Sequence, residues 1–385
     1  MAAVEKDPTR RKTPYVVRWR DEAGRQRKRG FARKVDADRY RAEVEHKLNT
    51  GAYIDPALGR TTLRAYGEAW RAAQVHRENT ASRTKSQLHV HVYPRLGDRP
   101  IAAVRNTELQ AFVTSLDLAP SSVRPVWATL RAIFGAAVRD RAIGHDPCLG
   151  VKLPELPLAE VVPLLLDQVD ALAGAVPRRY RGLVAADAGC GLRQGEIFGL
   201  EVSGVDFLRR EITVSQQVQP TAGGGVKVCP PKNRHSHRTV PVGQVVVDEL
   251  AAHLAEFPAR EVEVLDVTGK RPVRRMARFV FTDDAGQPLL RSGFNADVWN
   301  PARKAAGVPE AGMHDLRHFY ASLLIRAGMS PKVVAKLLGH ADASMTLRVY
   351  AHLWPDDDDR SRQAVDDAFR RVASPQALTP ASLPV

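Results

Sequence analysis

Between Gly150 and Pro157 the chain carries two prolines, Pro154 and Pro157. Proline tends to end helices and stiffens the connection it sits in, so this stretch reads as the linker between two parts of the chain. There is chain enough on both sides, because 385 residues amount to two or three ordinary domains. Apolar residues make up 44% and charged residues 26%, a globular composition that excludes wholesale disorder. The apolar pattern changes character along the chain, which predicts a multidomain α+β protein.

Residues 1–60 read as a small three-stranded sheet plus a helix. Tyr15, Val17 and Trp19 alternate with Val16, Arg18 and Arg20, the signature of a half-buried strand. Asp21-Glu22-Ala23-Gly24 is turn chemistry, and Arg25 to Phe31 is the returning strand. A helix follows, with Ala37, Tyr40, Val44 and Leu48 on one stripe able to cover the sheet. This unit holds 16 Lys/Arg against 9 Asp/Glu, half of the net charge of +14. Arg18, Arg20, Arg27, Lys28 and Arg29 are the candidates for a cationic face that enters a major groove. A solubilising edge hairpin would carry the same pattern.

Residues 61–150 read as all helix, with candidates at 62–75, 82–93, 107–116 and 122–139. Thr107 with Gln110 suggests a capping box, and Ser121 a cap for the last helix. Such a module suits a DNA clamp and equally any other helical role. Residues 151–355 mix helices with a small antiparallel sheet, a hairpin of Glu211–Val218 and His237–Val242. Residues 356–385 form a tail: the acidic run Asp356–Asp359, an apolar stripe of Val365, Ala368, Phe369 and Val372, then a Pro/Ala/Ser-rich end.

The charge surplus, 57 Lys/Arg against 43 Asp/Glu, favours a polyanionic partner, most simply nucleic acid. A basic surface kept for solubility is the alternative. Cys148, Cys190 and Cys229 form no C-x-x-C pair and no disulfide framework, which fits a reducing cytoplasm. The N-terminus is not a secretory signal, and no apolar run approaches the ~18 residues that span a bilayer. The longest mild run, Gly182 to Leu192, is interrupted by Asp187. No membrane partner is expected.

The chemistry concentrates between His314 and Tyr350. His314 and Arg317 lie three apart and share a helix face. The next helix is punctuated by Ser330 as N-cap, Pro331 at its first position and Gly339 just beyond its end, followed at once by His340. Tyr350 sits in a further short helix, capped by Ser344. His314 and His318 also have the spacing of a helical zinc pair. Asp315, however, stands where a metalloprotease needs glutamate, and Arg317 would oppose a dication. Asp356–Asp359 suggests a magnesium site, although four consecutive acids cannot all converge and a solvated tail explains them. Neither metal nor cofactor is expected.

The run HDLRHFYASLLIRAG, then LLGH, then Tyr350 in RVYAHL resembles the C-terminal signature of tyrosine recombinases, the integrase family of phages and mobile elements. Upstream, GCGLRQGEIFGL resembles the family's first arginine motif, and the lysine of PKNRHSHRTVPV its hairpin lysine. The resemblance assigns Arg193, Lys232, His314, Arg317, His340 and Tyr350 as catalytic. It also implies an arm-type DNA-binding domain at 1–60, a helical core-binding domain at 61–150 and a catalytic domain at 151–355. The activity implied is that of a site-specific recombinase that integrates or excises a mobile element through a covalent 3′-phosphotyrosine. Double-stranded DNA attachment sites, a homo-tetramer and accessory DNA-bending proteins would be its partners. A type IB-like topoisomerase shares the chemistry, and a non-catalytic DNA-binding regulator could occupy the same scaffold.

The chemistry is coherent on its own terms. A phenol of pKa about 10 needs cationic neighbours before it attacks phosphorus. Two arginines suit the non-bridging oxygens, because planar forks outperform lysine there. His314 and His340 suit hydrogen bonding to those oxygens or proton transfer from the tyrosine, and Lys232 on a mobile loop suits the general acid. Glu196, one turn after Arg193, reads as a residue that orients an arginine. Arg234 and Arg238 flank the lysine and are expected to meet DNA phosphates, with His235 and His237 beside them.

Overall fold

Three separate apolar clusters form, one for each change in the sequence pattern. The computed structural model describes residues 2–21, 24–50, 53–54, 56–156, 160–221, 225–354 and 358–373. The chain divides into two compact units, residues 1–158 and 159–385.

The first unit begins with an antiparallel sheet in the order β1 (Ala3–Lys6), β2 (Tyr15–Arg20), β3 (Gln26–Phe31). The expected alternation in β2 puts Val17 and Trp19 against helix α1 (Lys34–Asn49), where Ala37 and Val44 are buried. The Trp19 indole donates to the Tyr53 hydroxyl at 3.0 Å. Glu22 and Ala23 of the expected turn lie outside the described residues.

Register decides which cations share a face. Arg18 stands opposite Lys28, so Trp19 faces Arg27 and Val17 faces Arg29. Arg18, Arg20 and Lys28 therefore occupy the open face, while Arg27 and Arg29 lie on the helix side. Arg29 stacks on the Tyr40 ring at 4.7 Å, and Arg27 pairs with Asp21 at 2.9 Å. The five-residue cationic face expected from the sequence is thus divided in two. On the open side Arg18 is ion-paired with Glu5 at 2.8 Å.

Helices α2 (Pro56–Gly59), α3 (Leu63–Ala72), α4 (Glu78–Gln87), α5 (Tyr93–Leu96), α6 (Asn106–Thr114) and α7 (Pro120–Arg139) complete this unit. A π-helical turn, Leu88–Val92, joins α4 to α5. Leu63, Leu88, Leu109, Leu130 and Phe134 are fully buried between them. Thr62 caps α3 by accepting from the Ala65 amide. The caps expected at Thr107 and Ser121 do not form. Glu108 reaches back to the Arg105 amide at 3.0 Å instead, and Pro120, whose ring presets the helical φ, opens α7.

The second unit runs α8 (Leu166–Ala175), α9 (Arg181–Cys190), α10 (Gln194–Phe198), β4 (Val205–Asp206), β5 (Glu211–Val214), β6 (Gln217–Pro220), β7 (Val226–Cys229), β8 (Arg238–Pro241) and α11 (Gln244–Glu256). It continues with β9 (Glu261–Asp266), β10 (Val273–Arg278), α12 (Arg291–Phe294), α13 (Asn300–Ala305), α14 (Met313–Arg326), α15 (Pro331–Leu338), α16 (Ala343–Tyr350) and α17 (Asp358–Ala373). The strand expected over 211–218 is two strands in two sheets. β5 lies between β4 and β8, whereas β6 pairs with β7 in the order β10-β9-β7-β6. The break falls at Gln216, whose amide donates to the Gly199 carbonyl and to Glu201, both at 2.7 Å, drawing the chain out of the first ladder. Lys232 consequently follows β7 in the loop leading to β8, rather than crowning a single hairpin.

The mild apolar run around Asp187 becomes α9, with Leu183, Val184, Ala186, Asp187 and Cys190 all buried. Packing of α14 on α9 brings the arginine motifs together. The apolar stripe of α17 shows Val365 and Phe369 to solvent. Asp356 and Asp357 of the acidic run lie outside the described residues. No described helix is long and apolar enough to cross a membrane.

Candidate active site

The site is organised around the C-terminal end of α15. Ser330 caps its start by accepting from the Val333 amide, Pro331 takes the first position, and Gly339 ends it with φ of 65°. A side chain at Gly339 would come within 3.0 Å of the His235 carbonyl, so the αL turn and the close approach both require glycine. The last carbonyls of a helix have no partner within it and carry its negative dipole end. Here three consecutive ones each accept from a different arginine. Leu337 O takes Arg238 Nε at 2.7 Å, Leu338 O takes Arg317 Nη2 at 2.6 Å, and Gly339 O takes Arg193 Nη2 at 3.2 Å.

Arg193 stands at the N-cap of α10, and its Nη1 also donates to Glu196 Oε1 at 2.8 Å and to Ser236 Oγ at 3.0 Å. Glu196 accepts Arg238 on its other oxygen at 3.0 Å. Burial alone would push the Glu196 carboxyl up, but Arg238 and Arg193 outweigh it and hold the group below its usual range. Arg238, expected on the DNA-facing surface, is therefore an interior residue, its guanidinium consumed by Glu196, Leu337 O and Ser236 O. Arg317 is buried, and its Nη1 donates to the Gly191 carbonyl at 2.9 Å. Burial and the nearby guanidinia of Arg193 and Arg238 lower its pKa to about 9, which still leaves it a cation at neutral pH.

Asp315 caps α14 by accepting from the Gly312 amide at 2.7 Å, which fixes the turn that carries His314, Arg317 and His318. The Tyr350 hydroxyl lies 2.6 Å from His318 Nδ1, and the phenol is almost wholly buried. Burial raises its pKa to about 12 against the opposing pull of Arg317. His340 Nδ1 is 2.8 Å from Thr346 Oγ1, and burial followed by the surrounding arginines lowers the imidazole to about 4. His314 keeps an exposed edge, while the protein packed on its other side, then His318 and Arg317, press its pKa down. The cap of α16 is Asp342, whose side chain accepts from the Met345 amide at 3.2 Å; Ser344, expected there, hydrogen-bonds Asp342 instead.

Lys232 and Arg234 are exposed in the loop between β7 and β8, with His235 and His237 beside them. The loop is anchored at Ser236, which donates to Asn233 at 2.8 Å while accepting from Arg193. His318 is the residue that sequence reasoning left out, having weighed it only as half of a zinc pair. The rings of His314 and His318 do stand 4.7 Å apart, but no third metal-ligating side chain joins them among the described residues.

Residues 159–356 match the model of the phage integrase family, more than half of the chain. The chain belongs to that family, the tyrosine recombinases, enzymes that cut and rejoin DNA strands. It is 25% identical to a XerC-like tyrosine recombinase of Caldanaerobacter subterraneus subsp. tengcongensis, over 91% of this chain and 94% of the relative. It is 26% identical to the integrase of Mycobacterium phage D29, over 83% of this chain and 84% of the relative. Among solved structures, the Tn1549 transposon integrase in complex with a circular intermediate DNA superposes with a TM-score of 0.68 at 20% identity, covering 80% of this chain and 99% of that one. These comparisons support a DNA-binding site-specific recombinase and neither a topoisomerase nor a non-catalytic regulator.

Proposed function

We propose that this recombinase cleaves DNA with Tyr350, which becomes joined to the 3′-phosphate while the 5′-oxygen leaves. The observation that carries the assignment is the attachment of Arg317 and Arg193 to the successive carbonyls Leu338 and Gly339, which brings the two guanidinia to the same helix end, close enough to perturb one another. Two planar forks in that arrangement suit the two non-bridging oxygens of one phosphate. His340 follows Gly339 directly and His314 sits one turn before Arg317, so both imidazoles border the same position. Each is held neutral near pH 7 and therefore presents a single N–H donor to a phosphoryl oxygen. Lys232, on a loop tied through Ser236 to Arg193, supplies the proton to the leaving oxygen. No metal enters this scheme. The phosphotyrosine conserves the energy of the broken bond for religation.

We further propose that residues 1–60 bind arm-type sites through the open face of the sheet, that residues 61–150 clamp the core site, and that four protomers assemble on DNA. The exposed stripe of α17 suits exchange of the tail between neighbours. The reaction so carried out is integration or excision of a mobile element in the cytoplasm, assisted by accessory DNA-bending proteins. A nicked suicide substrate tests the nucleophile: wild type yields an SDS-resistant adduct, and Tyr350→Phe binds DNA within a few-fold but yields none. An adduct from Tyr350→Phe would remove Tyr350 from the role.

A further inference from the structure

We infer that His318 is a catalytic residue of this recombinase, the base that takes the proton from Tyr350 during strand cleavage. The inference rests on Tyr350 being the nucleophile. His318 Nδ1 is the hydrogen-bond partner of the Tyr350 hydroxyl among the described residues, at 2.6 Å, within the range for direct proton transfer. The rings meet edge-on with centroids 5.5 Å apart, and both sit on short, capped helices, so the contact is preorganised. The other two imidazoles are placed differently. His340 spends Nδ1 on Thr346, and His314 abuts the His318 ring instead of the phenol.

The charge environment keeps the imidazole free of its second proton. Burial, then Arg317, lowers the pKa of His318, while Asp315 opposes them. Of the helices around it, α16 contributes the Tyr350 hydroxyl, and α14 itself contributes His314, Asp315 and Arg317. The imidazole is thus neutral at pH 7. With its proton on Nε2, the Nδ1 lone pair faces the phenol.

In the step itself the Tyr350 O–H bond breaks and its proton passes to Nδ1. The phenolic oxygen bonds to phosphorus, the bond from phosphorus to the 5′-oxygen breaks, and that oxygen takes a proton from Lys232. Religation runs the same transfers backwards, with the His318 imidazolium returning its proton to Tyr350.

The test is single-turnover adduct formation on a suicide substrate across pH 5 to 9, using His318→Asn and His318→Ala. Asparagine can keep a hydrogen bond to the phenol but cannot carry the proton. His318→Asn is expected to bind the half-site like wild type and to cleave about 100-fold more slowly. It should also lose the rise in rate with pH that wild type shows as the imidazole deprotonates. Added imidazole should restore His318→Ala at least tenfold. A 5′-bridging sulfur in the substrate should leave the His318→Asn defect in place, because it relieves only the leaving group. Cleavage by His318→Asn within threefold of wild type, or faster, would overturn the assignment and make His318 a restraint on the phenol. Failure of imidazole rescue with DNA binding intact would also count against it. An adduct from Tyr350→Phe would instead overturn the nucleophile.

Discussion

Arg238 donates from Nη2 to Glu196 at 3.0 Å where both side chains are nearly free of solvent, 5% and 1% exposed. Removing the guanidinium leaves a buried carboxylate short of one cation and the Leu337 carbonyl without its donor. Arg238→Ala should therefore cost about 3–5 kcal/mol of stability in urea denaturation, the scale for breaking a buried ion pair. Under conditions where the variant is folded, the salt dependence of DNA binding should match wild type. Arg234→Ala should instead lower the log–log salt slope by about one. A slope change at Arg238 would return it to the DNA surface.

Lys232→Ala should slow cleavage of ordinary DNA by at least 100-fold and cleave a 5′-bridging sulfur substrate almost normally, because sulfur leaves without a proton donor. Gel-resolved adduct formation reads both rates. Equal impairment on the two substrates would show that Lys232 holds phosphate rather than donating a proton.

Asp187 is fully buried in α9, and neither carboxylate oxygen has a hydrogen-bond partner. Burial drives its pKa well above the usual carboxylate range, with the Arg317 guanidinium opposing. A carboxyl protonated when folded and ionised when unfolded loses stability as pH rises from about 4 through its raised pKa. Asp187→Asn has no proton to lose. Its stability in urea denaturation should therefore gain on wild type between pH 4 and pH 8, by about 1.4 kcal/mol for each pH unit crossed below the raised pKa. Destabilisation by asparagine at pH 8 would mean that the folded protein holds Asp187 ionised as a counter-ion to Arg317.

On the N-terminal sheet, Arg20→Ala and Lys28→Ala should each make the salt dependence of arm-site binding shallower by about one. Arg29→Ala should leave the slope unchanged and lower stability, since Arg29 covers Tyr40 and Phe31. Filter binding over a salt series distinguishes the two faces. Equal slopes for all variants would take the sheet off the DNA.

Local signals carried far in this sequence. Ser330, Pro331 and Gly339 bounded α15 correctly because caps act within one turn, and the alternation around Trp19 set the face of β2. Arg238 was misplaced although the signal was present: it shares strand parity with Val240 and Val242, both buried. The run of neighbouring cations obscured that alternation. The break at Gln216 was not legible, because it depends on acceptors at Gly199 and Glu201 supplied by another part of the chain. His318 meets Tyr350 across 32 residues of sequence, and its position one turn beyond His314 was the only local hint of where it points.

The three carbonyls at the end of α15 make that helix a ruler as well as a scaffold. Successive residues of an α-helix are about 100° apart, so one residue added to or removed from α15 swings its last three carbonyls away together. Arg193, Arg238 and Arg317 would then lose their acceptors at once with every side chain of the site unaltered. A single-codon insertion between Pro331 and Gly339 should thus disable strand cleavage as completely as the loss of an arginine, which makes the length of this eight-residue helix part of what the enzyme encodes.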